Sequence, residues 1–209
     1  MSLVVDIVTK AVDRDRTILV SSAISGCTDT LIKIGTLASQ RDESYKTLID
    51  ELQDRHHVII NDFLPREKQE ESKEVCDGLF DSLRSIAQGV FLLGELSPAS
   101  LDAIQSYGEL WSTKILATKL ASIGIATKWI DSRQIVRTIA KGDKNIVDVQ
   151  KTYARVNEML ENNPITQLFV LPGFIASDKQ GRTTTLGRGG SDYTASLYAV
   201  GCKARNLEI

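Results

Sequence analysis

Apolar residues in this chain recur at two spacings, and the changes between them divide it into helices and strands. Residues 4–12 carry Val5, Ile7, Val8 and Val12 in a pattern that predicts a partly buried helix, closed by the charged turn Asp13-Arg14-Asp15-Arg16. Residues 17–23 are a short β-branched run, which predicts a buried parallel strand. It ends in Ile24-Ser25-Gly26-Cys27-Thr28-Asp29, after which Leu31, Ile34 and Leu37 take up helical spacing. Two long helices are predicted over residues 38–93: Tyr45, Leu48, Ile49, Leu52, His56, Ile59, Ile60 and Phe63 mark the first, and Val75, Leu79, Leu83, Ile86 and Val90 the second. Pro65 marks the break between them, and the charged stretch 66–74 reads as solvated surface.

The apolar run 88–96 leads to a sharper boundary. Ser97 is placed to cap and Pro98 to open a helix whose buried set is Leu101, Ile104, Leu110, Trp111, Ile115 and Leu120, with Gly124 as its stop. Residues 125–130 predict a strand, 148–160 a helix with Val149, Tyr153, Val156 and Leu160 inward, and 167–176 another buried strand. Asp178-Lys179-Gln180-Gly181 predicts a hairpin turn into Thr183-Thr184-Thr185. Thr194, Leu197, Tyr198 and Val200 mark a last helix, and residues 206–209 look like the start of one more strand. Strands alternating with helices predict an α/β fold with a mainly parallel sheet.

Composition narrows the function more than the fold. The chain has 209 residues, 42% hydrophobic and 25% charged, enough for one sizeable core of an ordinary soluble protein. A net charge of -2 supplies no broad basic field, so neither nucleic acid nor an anionic membrane is expected as a partner. Any phosphate ligand must be held by local geometry. Cys27, Cys76 and Cys202 are odd in number, far apart and in no metal-ligand spacing, which fits reduced thiols in a cytoplasmic protein. No apolar run approaches a membrane span. His56-His57 invites a metal reading, but adjacent residues point to different helix faces and no partner is suitably spaced, so a packed or surface role and no metal are expected.

Three stretches carry candidate chemistry. In Leu186-Gly187-Arg188-Gly189-Gly190-Ser191-Asp192 a strand enters a glycine turn and then a helix with Ser-Asp at its head. Gly187, Gly189 and Gly190 allow a ligand close to the backbone, their amides can form an anion nest, and the helix terminus adds positive potential. Arg188 adds a bidentate fork for carboxylate or phosphate. The same turn chemistry also fits an ordinary βα loop. Hydroxyl residues and Gly26 at the end of the 17–23 strand lie where open α/β sheets bind ligands, and they fit equally a turn with Thr28 or Asp29 as helix cap. Glu109 precedes Ser112 and Thr113 by three and four residues, so the three share a helix face that could grip an ammonium group. A solvated Glu109 is the alternative on that segment alone.

Taken together these stretches resemble the aspartokinases of the amino-acid kinase superfamily. The run from Thr183 to Ala195 is similar to the family's Thr-rich strand followed by Leu-Gly-Arg-Gly-Gly-Ser-Asp-Tyr-Ser/Thr-Ala. Ser21-Ser22-Ala23-Ile24-Ser25-Gly26-Cys27-Thr28 is similar to its Val-Ser-Ala-x-x-Gly-x-Thr, and Gly108-Glu109-Leu110-Trp111-Ser112 to its Gly-Glu-x-x-Ser. The resemblance covers essentially the whole chain. Residues 38–90 and the Leu-Leu-Gly run after them look most like the kinase part of bifunctional aspartokinase-homoserine dehydrogenases.

The resemblance implies a three-layer αβα sandwich with a helical insertion at about 38–93, with residues 1–209 as the N-terminal, aspartate-binding part of the kinase domain. It implies a homo-oligomeric enzyme that uses ATP and Mg2+ to phosphorylate the side-chain carboxylate of L-aspartate, in biosynthesis of Lys, Thr, Met and Ile. Ser22, Ala23 and Thr28 would line the aspartate pocket, Glu109 would hold the ammonium and Arg188 a carboxylate. Ser191 would add a hydrogen bond, and Asp192 would act in catalysis by orienting lysines or contacting substrate. Two family motifs have no counterpart in this sequence, the strand ending Lys-Phe-Gly-Gly-Thr-Ser and the Trp-Thr-Asp-Val-Asp-Gly run with its nucleotide-binding segment. The chain is therefore expected to be a truncated excerpt with little kinase activity of its own. A kinase for glutamate or an acetylated amino acid, and a non-catalytic amino-acid-binding or structural piece, remain the alternatives.

Overall fold

The computed structural model describes residues 2–141 and 144–209. Two compact units divide the chain: Met1–Ser22 with Ile123–Ile209, and Ala23–Ser122 between them.

The first unit is α/β. Its sheet has the order β1-β5-β2, with β1 at Thr17–Ser21, β2 at Thr127–Trp129 and β5 at Leu168–Pro172, all parallel. β5 is central and wholly buried, which is why its sequence is a continuous apolar run. Ile18 and Val20 of β1 pack with Phe169 and Leu171 of β5 against helices α6 (Val149–Glu161) and α7 (Gly190–Gly201), through Val156, Met159, Leu197 and Tyr198. Tyr198 donates to Ser132 Oγ at 2.9 Å and Ser132 Oγ donates to the Pro172 carbonyl at 2.5 Å, a buried relay that fixes α7 to the end of β5. Burial raises the Tyr198 phenol well above its usual range. Asp148 caps α6 by accepting from the Lys151 amide at 3.1 Å.

Two antiparallel pairs flank this sheet. β3 (Thr138–Lys141) pairs with β4 (Lys144–Val147), an element that the charged sequence conceals. β6 (Ile175–Ser177) pairs with β7 (Thr183–Thr185) through the turn expected at Asp178, whose carboxylate accepts from the Gln180 and Arg182 amides at 2.9 Å each.

The second unit is helical: α2 (Cys27–Ser39), α3 (Ser44–Phe63), α4 (Arg66–Leu93) and α5 (Pro98–Ser122). It is wider than the insertion expected at 38–93, since α2 and α5 belong to it. Pro65 precedes α4 as expected, and Ser97 Oγ accepts from the Ser100 amide at 3.1 Å to cap α5. α5 is buried on every side over Ser106 to Thr113, the mark of a central helix. Around it Trp111 stacks on Phe80 at 4.0 Å and meets His56 at 4.9 Å between ring centroids. His56 is packed in this core, and burial pushes its imidazole down to about 4. His57 lies 2.6 Å from Asp77.

Several sequence expectations shift by one residue or one turn. The buried stripe of α4 is Cys76, Phe80, Leu83, Ala87 and Val90, while Val75 is exposed; small and aromatic residues fill the inward positions that an aliphatic count passes over. Ile7 and Val200 are exposed, because α1 (Ser2–Val12) and α7 each bury a narrower stripe than the pattern offers. The strand expected over 167–176 breaks after Pro172: Phe174 takes φ 63 and the Ile175 amide folds back on the Gly173 carbonyl at 2.6 Å. Residues 206–209 lie outside any strand and are exposed; no ladder among the described residues includes them.

Candidate functional site

In the α/β unit, the C-terminal ends of two parallel strands meet the head of α7. The Gly173 amide donates to the Ser21 carbonyl at 2.8 Å, joining the end of β5 to the end of β1. A Cβ at Gly173 would lie 2.5 Å from Ser191 Oγ and 2.8 Å from Ser191 Cα, so only glycine lets the helix head come this close. This end of an open α/β sheet is where ligands bind. Phe174 then ties the turn together: its amide donates to Thr194 Oγ1 at 3.1 Å, and its carbonyl accepts from the Leu186 amide at 2.8 Å.

The glycine turn has the conformation its sequence calls for. Gly187 and Gly189 have φ 72 and φ 73, with open space where a Cβ would point. Gly190 is needed for a different reason, since its Cβ would fall 2.9 Å from the Phe174 ring. The expected Ser191-Asp192 cap is not formed. Gly189 is the N-cap, and it offers no side-chain hydrogen bond to the first-turn amides of α7. Those amides carry the positive end of the helix dipole. Arg188 and Asp192 are exposed beside them, and Ser191 is half-buried.

In the helical unit, Glu109 is 3% exposed, not solvated. Its Oε1 accepts from the Ala23 amide at 3.3 Å, and its Oε2 is buried without a hydrogen-bond partner among the described residues. Burial pushes this carboxyl up to about 7, with the Ala23 amide opposing the shift. Gly108 makes the contact feasible, because a Cβ there would sit 2.8 Å from the Ala23 Cβ. Ser112 and Thr113 donate to the Glu109 backbone carbonyl at 3.2 and 2.6 Å. The Thr28 side chain belongs to the first turn of α2, whose N-cap is Gly26 at φ 76 and not Thr28 or Asp29. Cys27 is fully buried beside this carboxylate, and its thiol is pushed up to about 12 by burial and then by the Glu109 charge. Ser22 is the last residue of the first segment of the α/β unit, and Ala23 opens the helical one.

The profile of the amino acid kinase family matches residues 1–209. The chain belongs to that family. Among curated amino acid kinases, it is 28% identical to bifunctional aspartokinase/homoserine dehydrogenase 1, chloroplastic, of Zea mays, over 93% of this chain and 21% of that protein. It is 36% identical to lysine-sensitive aspartokinase 3 of Escherichia coli over 66% of this chain and 30% of that protein. Its fold is the amino acid kinase fold seen in the crystal structure of E. coli aspartokinase III in complex with aspartate and ADP, at a TM-score of 0.83 and 28% identity over 96% of this chain and 43% of that one. The chain thus spans less than half the length of each of these proteins.

Sequence reasoning missed three contributors to these arrangements. Gly173 and Phe174 looked like the middle of a strand, although the Pro172-Gly173 pair is itself a turn signal that the apolar run masked. Arg55, which the apolar pattern of its helix passes over, donates from Nη2 to the Ser25 carbonyl at 2.9 Å, within the turn that holds Ala23 and Thr28. Its sequence neighbours on α3 give no hint of that target.

Proposed function

We propose that residues 1–209 are the aspartate-binding part of a kinase that phosphorylates the side-chain carboxylate of L-aspartate with ATP, giving 4-phospho-L-aspartate. The buried Oε2 of Glu109, unpartnered among the described residues, supports this reading. An isolated carboxylate in such a place is costly, and an ammonium group is the ligand that compensates it. Glu109 takes the substrate ammonium, and Ala23 and Thr28 frame the turn beside it. Arg188 takes a substrate carboxylate through its fork, while Ser22 and Ser191 add hydrogen bonds.

The attacking side-chain carboxylate is already ionised near pH 7, so no strong general base is required. Rate enhancement comes from in-line positioning and from neutralising charge on the transferring phosphoryl group. The glycine turn and the uncapped head of α7 suit an anion, and Asp192 orients cationic partners or substrate from the same helix turn. Mg2+ would travel with ATP, held mainly by phosphate oxygens and water.

Calorimetric titration of this chain with L-aspartate, with L-glutamate as competitor and Arg188→Ala as control, tests the reading. Selective binding abolished in the variant is expected; a folded chain that binds neither amino acid, or both alike, would refute it.

A further inference from the structure

The turn from Ala23 to Thr28 is held by two side chains from different helices. Glu109 of α5 accepts from the Ala23 amide at 3.3 Å, and Arg55 of α3 donates to the Ser25 carbonyl at 2.9 Å. Arg55 Nη1 also lies 4.0 Å from where a Gly26 Cβ would be, so the guanidinium spans the left-handed cap of α2. Both groups reach the Cys27 thiol electrostatically and with opposite sign, Glu109 raising its pKa and Arg55 lowering it.

Two features set Arg55 apart from an ordinary surface arginine. It places a cation at the N-terminal end of α2, where the helix dipole disfavours positive charge, so dipole stabilisation does not explain it. It also grips a backbone carbonyl thirty residues away in sequence, on the turn that carries two of the proposed substrate contacts. The Glu109–Ala23 bond is the longer of the two. Oε2 is the oxygen open to the ligand, so Oε1 can keep the Ala23 amide, while the Arg55 bond and the Cys27 amide on the Ile24 carbonyl at 2.9 Å hold the rest of the turn.

We propose that Arg55 is a positioning residue for L-aspartate: it holds the Ser25 carbonyl and so keeps Ala23 and Thr28 in place while Glu109 engages the substrate ammonium. The proposal rests on the aspartate reading above. Arg55→Met retains the aliphatic stem and removes the donors; Arg55→Lys restores one donor to Ser25. L-aspartate affinity would be measured by calorimetry for both, beside wild type and Glu109→Gln, with amide hydrogen exchange over residues 26–30 in the ligand-free chain.

Arg55→Met is expected to weaken binding about tenfold, the size of one hydrogen bond to a charged group. It is also expected to speed exchange at residues 26–30, and Arg55→Lys is expected to recover part of both losses. Wild-type affinity and exchange in Arg55→Met, with binding still lost in Glu109→Gln, would overturn the proposal and leave the aspartate reading standing. No binding by the folded wild-type chain would overturn both.

Discussion

At the head of α7 the groups available to a ligand are backbone amides and an exposed arginine; on α5 the group is a carboxylate that is 3% exposed. The first arrangement depends on a few consecutive residues, two of them glycines with positive φ, and its chemistry follows from local backbone geometry. The second depends on Gly108, Ala23 and the helices packed around α5, which together decide whether Glu109 is an ion or an acid. A turn of the first kind binds by presenting dipoles it always has. A carboxylate of the second kind stores an uncompensated desolvation cost that a cationic ligand relieves.

Glu109→Gln breaks that contrast most strongly. The carboxyl has its pKa raised from 4.5 to about 7, so the folded state binds more protons than the unfolded one between those values. Stability from this group is therefore full below about pH 4.5 and falls as pH rises through about 7, by about 3 kcal/mol. Glutamine is close in shape and does not ionise, so the variant is expected to be more stable than wild type at pH 8, by up to about 3 kcal/mol. It is also expected to lose the pairing with aspartate. In wild type, affinity for L-aspartate should rise with pH through about 7, with proton release detected in buffers of different ionisation enthalpy. A flat affinity profile from pH 6 to 8 would sink the idea.

His56 acts in the opposite sense within the same unit. Its pKa is lowered from 6.5 to about 4 by burial, so it contributes stability above 6.5 that is lost as pH falls through about 4. Across pH 4.5 to 6.5 the two effects oppose each other and wild-type stability should change little. Urea midpoints for Glu109→Gln should then fall on acidification in this window, and those for His56→Phe should rise. Parallel profiles for both variants would show that neither group is buried as described.

Next in size is Gly173→Ala, which tests how the turn is mounted and not what it presents. The new methyl would meet Ser191 backbone as well as side chain, and a flexible side chain cannot absorb such a clash. A loss of about 2 kcal/mol is expected in denaturant unfolding. The Pro172-Gly173 pair signals a turn in sequence, but the close approach of Ser191 that demands glycine there does not, since the run around it reads as one apolar strand. Gly187 and Gly189, by contrast, were legible: a β-branched strand, a glycine turn and a helical pattern imply their left-handed φ without any tertiary partner. Long-range packing is what local pattern leaves out. It explains the buried state of Glu109, the inward turn of Cys76 and Phe80 in place of Val75, and the β3–β4 pair hidden in a charged segment.

Gly187→Ala gives the smallest effect and the cleanest test of the local half. No atom lies near the position its Cβ would take, so the only penalty is that of a left-handed backbone, about 1 kcal/mol. If that is the whole effect, Gly187→Asn should recover part of it, because asparagine tolerates this conformation better than alanine. Aspartate affinity of a folded Gly187→Ala chain should fall only modestly, since Arg188 is kept and the turn is strained but not blocked. A loss as large as that of Arg188→Ala would mean that the turn's shape matters more than the arginine's charge, and the proposed division between the two would have to be reversed.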